Sequence, residues 1–202
     1  MVKKYIPMIL VIGWCLSLLG CTELGKVDQG RVIAYDKEKG LVTMIRDVKH
    51  EARNPDYNHL PPVTYQIPSD PSEMGAEPKA GLRMKLDTKN KQIVIFDPVS
   101  KNFKTIDYSL IDEQDNIDKN HPLVMDAETG KAKKFPVVDR NKKQITVYSA
   151  RQKILTTFTL PDEYFSLPDA TWDAGDEVRI YYKEEGKARR LMNISKTDIY
   201  KK

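Results

Sequence analysis

Cysteine is almost absent from this chain: its 202 residues hold two, Cys15 and Cys21. No Cys-x-x-Cys-His or paired Cys-x-x-Cys occurs, which excludes c-type haem attachment and a cysteine-ligated zinc or iron–sulfur centre. Histidine is scarce as well, with only His50, His59 and His121, none at the two-histidine spacing of a zinc site. Gly-x-Ser-x-Gly, P-loop and dinucleotide fingerprints are all missing, so serines such as Ser109 and Ser149 read as surface hydroxyls. Charge of one sign is lacking too: the formal net charge is +4, which gives no reason to expect nucleic acid as a partner. The expectation is a protein without cofactor, metal or catalytic activity.

Long apolar runs are limited to one, residues 5–19, preceded by Lys3 and Lys4 and followed by Gly20 and Cys21. A membrane-spanning helix needs about 20 apolar residues, and this run is shorter. A basic start, an apolar run and a small residue before a cut make a secretory leader. The ending Leu18-Leu19-Gly20-Cys21 resembles the lipobox of bacterial lipoproteins. The resemblance implies cleavage after Gly20, diacylation of the Cys21 sulfur and acylation of its new amino end. Residues 1–20 are then a signal peptide and residues 21–28 a lipidated tether. Two or three acyl chains make a lasting anchor where one alone is marginal. By resemblance to enterobacterial lipoproteins, Thr22 in place of Asp after the cysteine implies an outer-membrane location, facing periplasm or cell surface. A plain secretory signal that leaves Cys21 unmodified is the alternative.

Cleavage removes Lys3, Lys4 and no acid, so the net charge falls from +4 to +2. Cys15 leaves as well, and the remaining domain has no thiol to spare in a compartment that permits disulfides. Its stability must come from an apolar core.

What is present in quantity is β pattern. Residues 31–35 and 41–45 flank a charged turn ending in Gly40, the signature of a hairpin. Leu82, Met84 and Leu86 alternate with Arg83 and Lys85, and further strand-like runs occupy 92–96 and 103–108. Residues 178–182 and 188–194 make a closing hairpin around Gly186. Residues 161–165 make one helical turn before Pro168. The opening and closing hairpins resemble those of oligonucleotide-binding-type barrels.

The sequence also repeats. Residues 138–148 match residues 86–96 at an offset of 52, sharing Asp, Lys-Gln-Ile and an aromatic end. Repetition near 50 residues signals duplicated units. The expected fold is therefore mostly antiparallel all-β after an N-terminal signal helix, duplicated as two small barrels or one sandwich. The expected halves are 29–115 and 119–202.

Six of the twelve prolines fall within 51–80: Pro55, Pro61, Pro62, Pro68, Pro71 and Pro78. Proline removes donors and fixes φ, which argues against a central strand or a long helix. Long loops of this kind tend to be functional or disordered. Tyr57, His59 and Tyr65 make this one a candidate partner-facing loop, with residues 63–67 able to form one edge strand. Asp112, Asp115 and Asp118 are spaced as calcium ligands but lack the glycine and closing glutamate of an EF-hand loop, so a solvated connector is the better reading. Asp87 and Asp139 recur because hairpin turns favour aspartate. The dispersed tyrosines fill a small β core more often than they stack ligands.

The functional expectation is an envelope lipoprotein, held in the bilayer through acylated Cys21. It acts as a non-catalytic binding or scaffold module for another envelope protein. The alternative is a lipoprotein that binds a lipid, glycan or metal in its β-barrel. A carboxylate-based hydrolase is a third and weaker reading.

Overall fold

The alternation of Val178, Ile180 and Tyr182 with Arg179, Tyr181 and Lys183 sends one set inward and the other to the surface. The same period organises the other strands of the computed structural model, which describes residues 24–49 and 56–197. The leader, Gly20 and Cys21 lie outside the described residues. The first strands are β1 (Lys26–Asp36), β2 (Leu41–Arg46) and β3 (His59–Gln66). A middle group follows: β4 (Arg83–Asp87), β5 (Gln92–Asp97), β6 (Asn102–Asp107), β7 (Ser109–Gln114), β8 (Val137–Asp139), β9 (Gln144–Ser149) and β10 (Ile154–Thr159). The last hairpin is β11 (Glu177–Glu184) and β12 (Lys187–Asn193). Short 3-10 turns lie at Pro71–Glu73, Asp162–Ser166 and Asp169–Trp172.

The fold is mostly antiparallel β, as the patterning predicts. Strands β1, β11, β12, β3 and β2 close a barrel in that order. One pair in it is parallel, Gln66 of β3 beside Lys187 of β12, and this contact forms the seam of the barrel. The interior is filled by side chains: Val32, Val42, Met44, Tyr65, Ile180 and Leu191 are among its fully buried members. These side chains fill the lumen of the five-stranded barrel.

The repeat forms the second part of the structure. Strands β4–β5–β6 make a three-stranded sheet, and β8–β9–β10, extended by β7, make a four-stranded one. Leu86, Ile93, Ile95 and Ile106 of the first share one core with Ile145, Val147 and Phe158 of the second, with Phe165 and Trp172 packed against both. The duplication extends to backbone conformation. Lys91 and Lys143 both have positive φ, as do Lys101 and Lys153, each pair 52 residues apart. Asp87 accepts from the Asn90 amide at 3.0 Å, and Asp139 from the Lys142 amide at 3.0 Å, so both aspartates hold their turns as expected.

The chain does not divide into independent halves 29–115 and 119–202. The barrel draws β1–β3 from one side of that boundary and β11–β12 from the other, while the duplicated sheets form a two-layered insert between them. A third apolar cluster, with Ile45, Tyr57, Met84 and Phe96 at its centre, joins the outer face of β2 to the first inserted sheet.

Barrel and insert meet at a neck. The chain leaves the barrel through Lys79 and Gly81 and returns through Gly175 and Asp176. There the Asp176 amide donates to Lys79 O at 2.8 Å and the Gly81 amide to Val32 O at 3.0 Å. A Cβ on Gly81 would collide with the backbone of Gly175 and Asp173, and Gly175 itself has φ +68°. Only glycine fits where two backbones approach this closely.

Two outcomes are expected. Gly81→Ala should destabilise the protein by about 1–3 kcal/mol, the range for overpacking a tight site, read as a lower urea midpoint. Hydrogen bonding from the Asn90 amide and then Lys85 holds the Asp87 carboxyl down to about 2, against an ordinary 3.8. A depressed acid stabilises the fold above its unfolded pKa, and that contribution disappears as pH falls through the folded one. The urea midpoint should therefore drop between pH about 4 and about 2, and Asp87→Asn should flatten part of that drop.

Candidate functional site

The proline-rich stretch 51–80 is not one exposed loop. Residues 51–55 lie outside the described residues, and His59–Gln66 is barrel strand β3. Its prolines fit because β3 pairs with β2 through an irregular register between Met44 and Arg46, opposite Pro61 and Pro62. Over most of its length β3 has no ladder on its other side, so the missing amide donors leave nothing unpaired.

Two of the three residues expected to face a partner, Tyr57 and Tyr65, point inward. Tyr65 is 1% exposed in the barrel core, and its hydroxyl donates to Asp28 Oδ2 at 2.6 Å. Burial is the first cause that pushes its phenol far above the ordinary range. Tyr57 is 5% exposed, and the Arg31 guanidinium lies 4.7 Å from its ring centre. Apolar burial stabilised both rings more than surface display would. His59 is half-buried and lines a small cavity of about 140 Å³ with Asp28, Arg46 and Asp47. The structure does not bring the three residues into one site.

Beside that cavity is a polar centre linking barrel to insert. Gln29 and Asp47, 2% and 1% exposed, lie deepest. Gln29 Nε2 donates to Glu177 Oε1 at 2.6 Å, and Gln29 Oε1 accepts from Arg179 Nη2 at 2.7 Å. The second oxygen of Glu177 accepts from Arg151 Nη2 at 2.6 Å, reaching from the β9–β10 turn of the insert. Asp47 Oδ1 accepts from the amides of Lys49 at 3.1 Å and Asp56 at 2.8 Å. These groups are saturated by one another, and their role is to fix the insert on the barrel. Among the described residues no group of three or more His, Cys, Asp or Glu has the geometry to hold a metal ion.

The larger concavity lies on the seam. It is an open groove of about 990 Å³ between the end of β3 and the start of β12. Ile67, Pro68, Tyr181 and Ala188 supply apolar surface, and the rest of the lining is polar or charged. Most of those charges are already engaged. Asp70 accepts from the Ser72 amide and hydroxyl, both at 2.8 Å. Lys187 pairs with Glu184 at 2.7 Å. Arg190 Nη2 donates to Glu73 Oε1 at 3.0 Å within a two-point contact, which lowers the Glu73 carboxyl and raises the Arg190 guanidinium.

Arg189 is the exception. Strand β12 pairs Tyr182 with Ala188 and Tyr181 with Arg190, so Arg189 is the extra residue of a β-bulge. It is exposed in the groove without a carboxylate or carbonyl partner among the described residues. Bulges re-aim side chains in this way. The sequence carries a readable trace: Ala188 and Leu191 are buried with two arginines between them, which breaks the period of two.

Arg151→Ala should leave Glu177 short of a charged donor and cost about 1–3 kcal/mol, measured by chemical denaturation. Searches of curated proteins and of solved structures returned no match. A family model does match, over residues 23–202. The chain belongs to the family described as a domain of unknown function, DUF4881.

Proposed function

We propose that this protein is an envelope lipoprotein, anchored through acylated Cys21, whose barrel and insert form a non-catalytic binding module for another envelope protein. The docking surface is the seam groove. The observation that carries this reading is Arg189, a guanidinium projected by a bulge into a groove whose other charges are largely paired. An unpaired arginine beside apolar surface is suited to a two-point contact with a carboxylate on an extended segment. The lipobox-like ending at Gly20 and Cys21 supports the anchor, and with it a location at the outer membrane.

The strand order, closed by a parallel pair between β3 and β12, resembles the oligonucleotide-binding type of barrel. That likeness concerns architecture alone and argues for no ligand.

The test is a photo-crosslinking residue at Ser69, on the groove wall, in cells that make the full chain. A discrete protein adduct is expected, and Arg189→Glu should weaken it about tenfold or more, the effect of losing one charge-assisted contact. The melting temperature should stay unchanged. An adduct that ignores Arg189→Glu, or no adduct at all, sinks the reading.

A further inference from the structure

The tether meets the barrel at a rim that borders the seam groove and shares Tyr181 with it. Leu24 is 93% exposed and Val27 46%. Val27 lies opposite Tyr181 across β1 and β11, so the two share the outer face of the barrel. Tyr181 lays the end of its ring against Gly25, where a Cβ would have to displace it. Lys26 and Lys183 flank this apolar rim and are exposed. Lys26 pairs with Glu185 at 3.2 Å, while Lys183 has no carboxylate partner among the described residues.

We infer that this rim is a bilayer-contact surface, occupied by the headgroup layer of the membrane that holds the Cys21 lipid. The inference rests on the acylation of Cys21 proposed above. Three peptide steps separate Cys21 from Leu24, and fully extended they span about 10 Å. A lipidated cysteine therefore keeps Leu24 within that distance of the interface, and Val27, six steps from Cys21, within about 20 Å. Leucine, valine and tyrosine interleaved with lysine suit an interfacial layer, where apolar groups sink toward the acyl chains and ammonium groups stay among the phosphates. Of the other large exposed apolar residues, Val99, Leu110, Ile111 and Val137 lie on the insert, while Val48 follows β2 and Met192 is on β12. Among the described residues, Leu24 and Val27 are the exposed apolar residues nearest the anchor along the chain.

The contact would also orient the molecule. Tyr181 belongs to the rim and to the lining of the seam groove. With the rim on the bilayer, the groove opens beside the membrane surface, where a segment of a membrane-held partner is within reach.

The mature chain suits a direct test, because Cys15 leaves with the leader and Cys21 carries lipid. Val27→Cys and Val99→Cys then each supply one thiol for an environment-sensitive fluorophore. The acylated protein is reconstituted into phosphatidylethanolamine–phosphatidylglycerol vesicles, and quenching by aqueous iodide is measured. The Val27→Cys label is expected to be blue-shifted and quenched several-fold less than the Val99→Cys label. Matching melting curves establish that both variants keep the fold. A lipidated chain in which both labels are quenched alike overturns the rim contact and leaves the anchor standing. If the mass of the Cys21 peptide shows no lipid, the anchor fails and the rim contact with it.

Discussion

Strand β1 is shared between β2 and β11, and that sharing ties the opening hairpin to the closing one. Gln29 and Glu177, 148 residues apart, meet through a buried hydrogen bond as a result. Everything between β3 and the closing hairpin must leave the barrel and return to the same place. The neck at Gly81 and Gly175 is the physical outcome, two backbones in contact with no room for side chains. The insert is then free to build its own core, and it does so by laying one copy of a three-stranded unit over another.

The polar centre follows from the same closure. A barrel held at one end by a neck would let the insert pivot. Arg151 reaches from the insert to Glu177, and the cluster around Ile45 and Met84 packs the two parts along the outer face of β2. Charge-assisted hydrogen bonding and apolar burial work together at this joint. The clustered carboxylates Asp47 and Glu177, which out of context suggest acid–base chemistry, are spent on holding the architecture together.

Much of the fold was legible residue by residue. The terminal hairpins, the turn aspartates and the duplication at 52 residues all follow from short-range rules of alternation and turn chemistry. The site was less legible. Tyr57 and Tyr65 stand among six prolines and read as display residues, yet a bulged register lets β3 carry Pro61 and Pro62 and turn its tyrosine into the core. Arg189 looked like one charged residue among many. Its separate status depends on which neighbours found partners, and those partners, Glu73 for Arg190 and Glu184 for Lys187, come from two different elements.

The sequence by itself determined the class of strand, the positions of the turns, the repeat and the basic–apolar–small order that ends at Gly20 and Cys21. Each is a local pattern, set by side-chain period or by the backbone preferences of a few adjacent residues. Tertiary structure alone decided that the first hairpin pairs with the last, that the repeats become an insert, and that one arginine is left without a partner in a groove. Those outcomes depend largely on contacts between residues far apart in the chain, and no local period encodes which distant strand an open edge will meet.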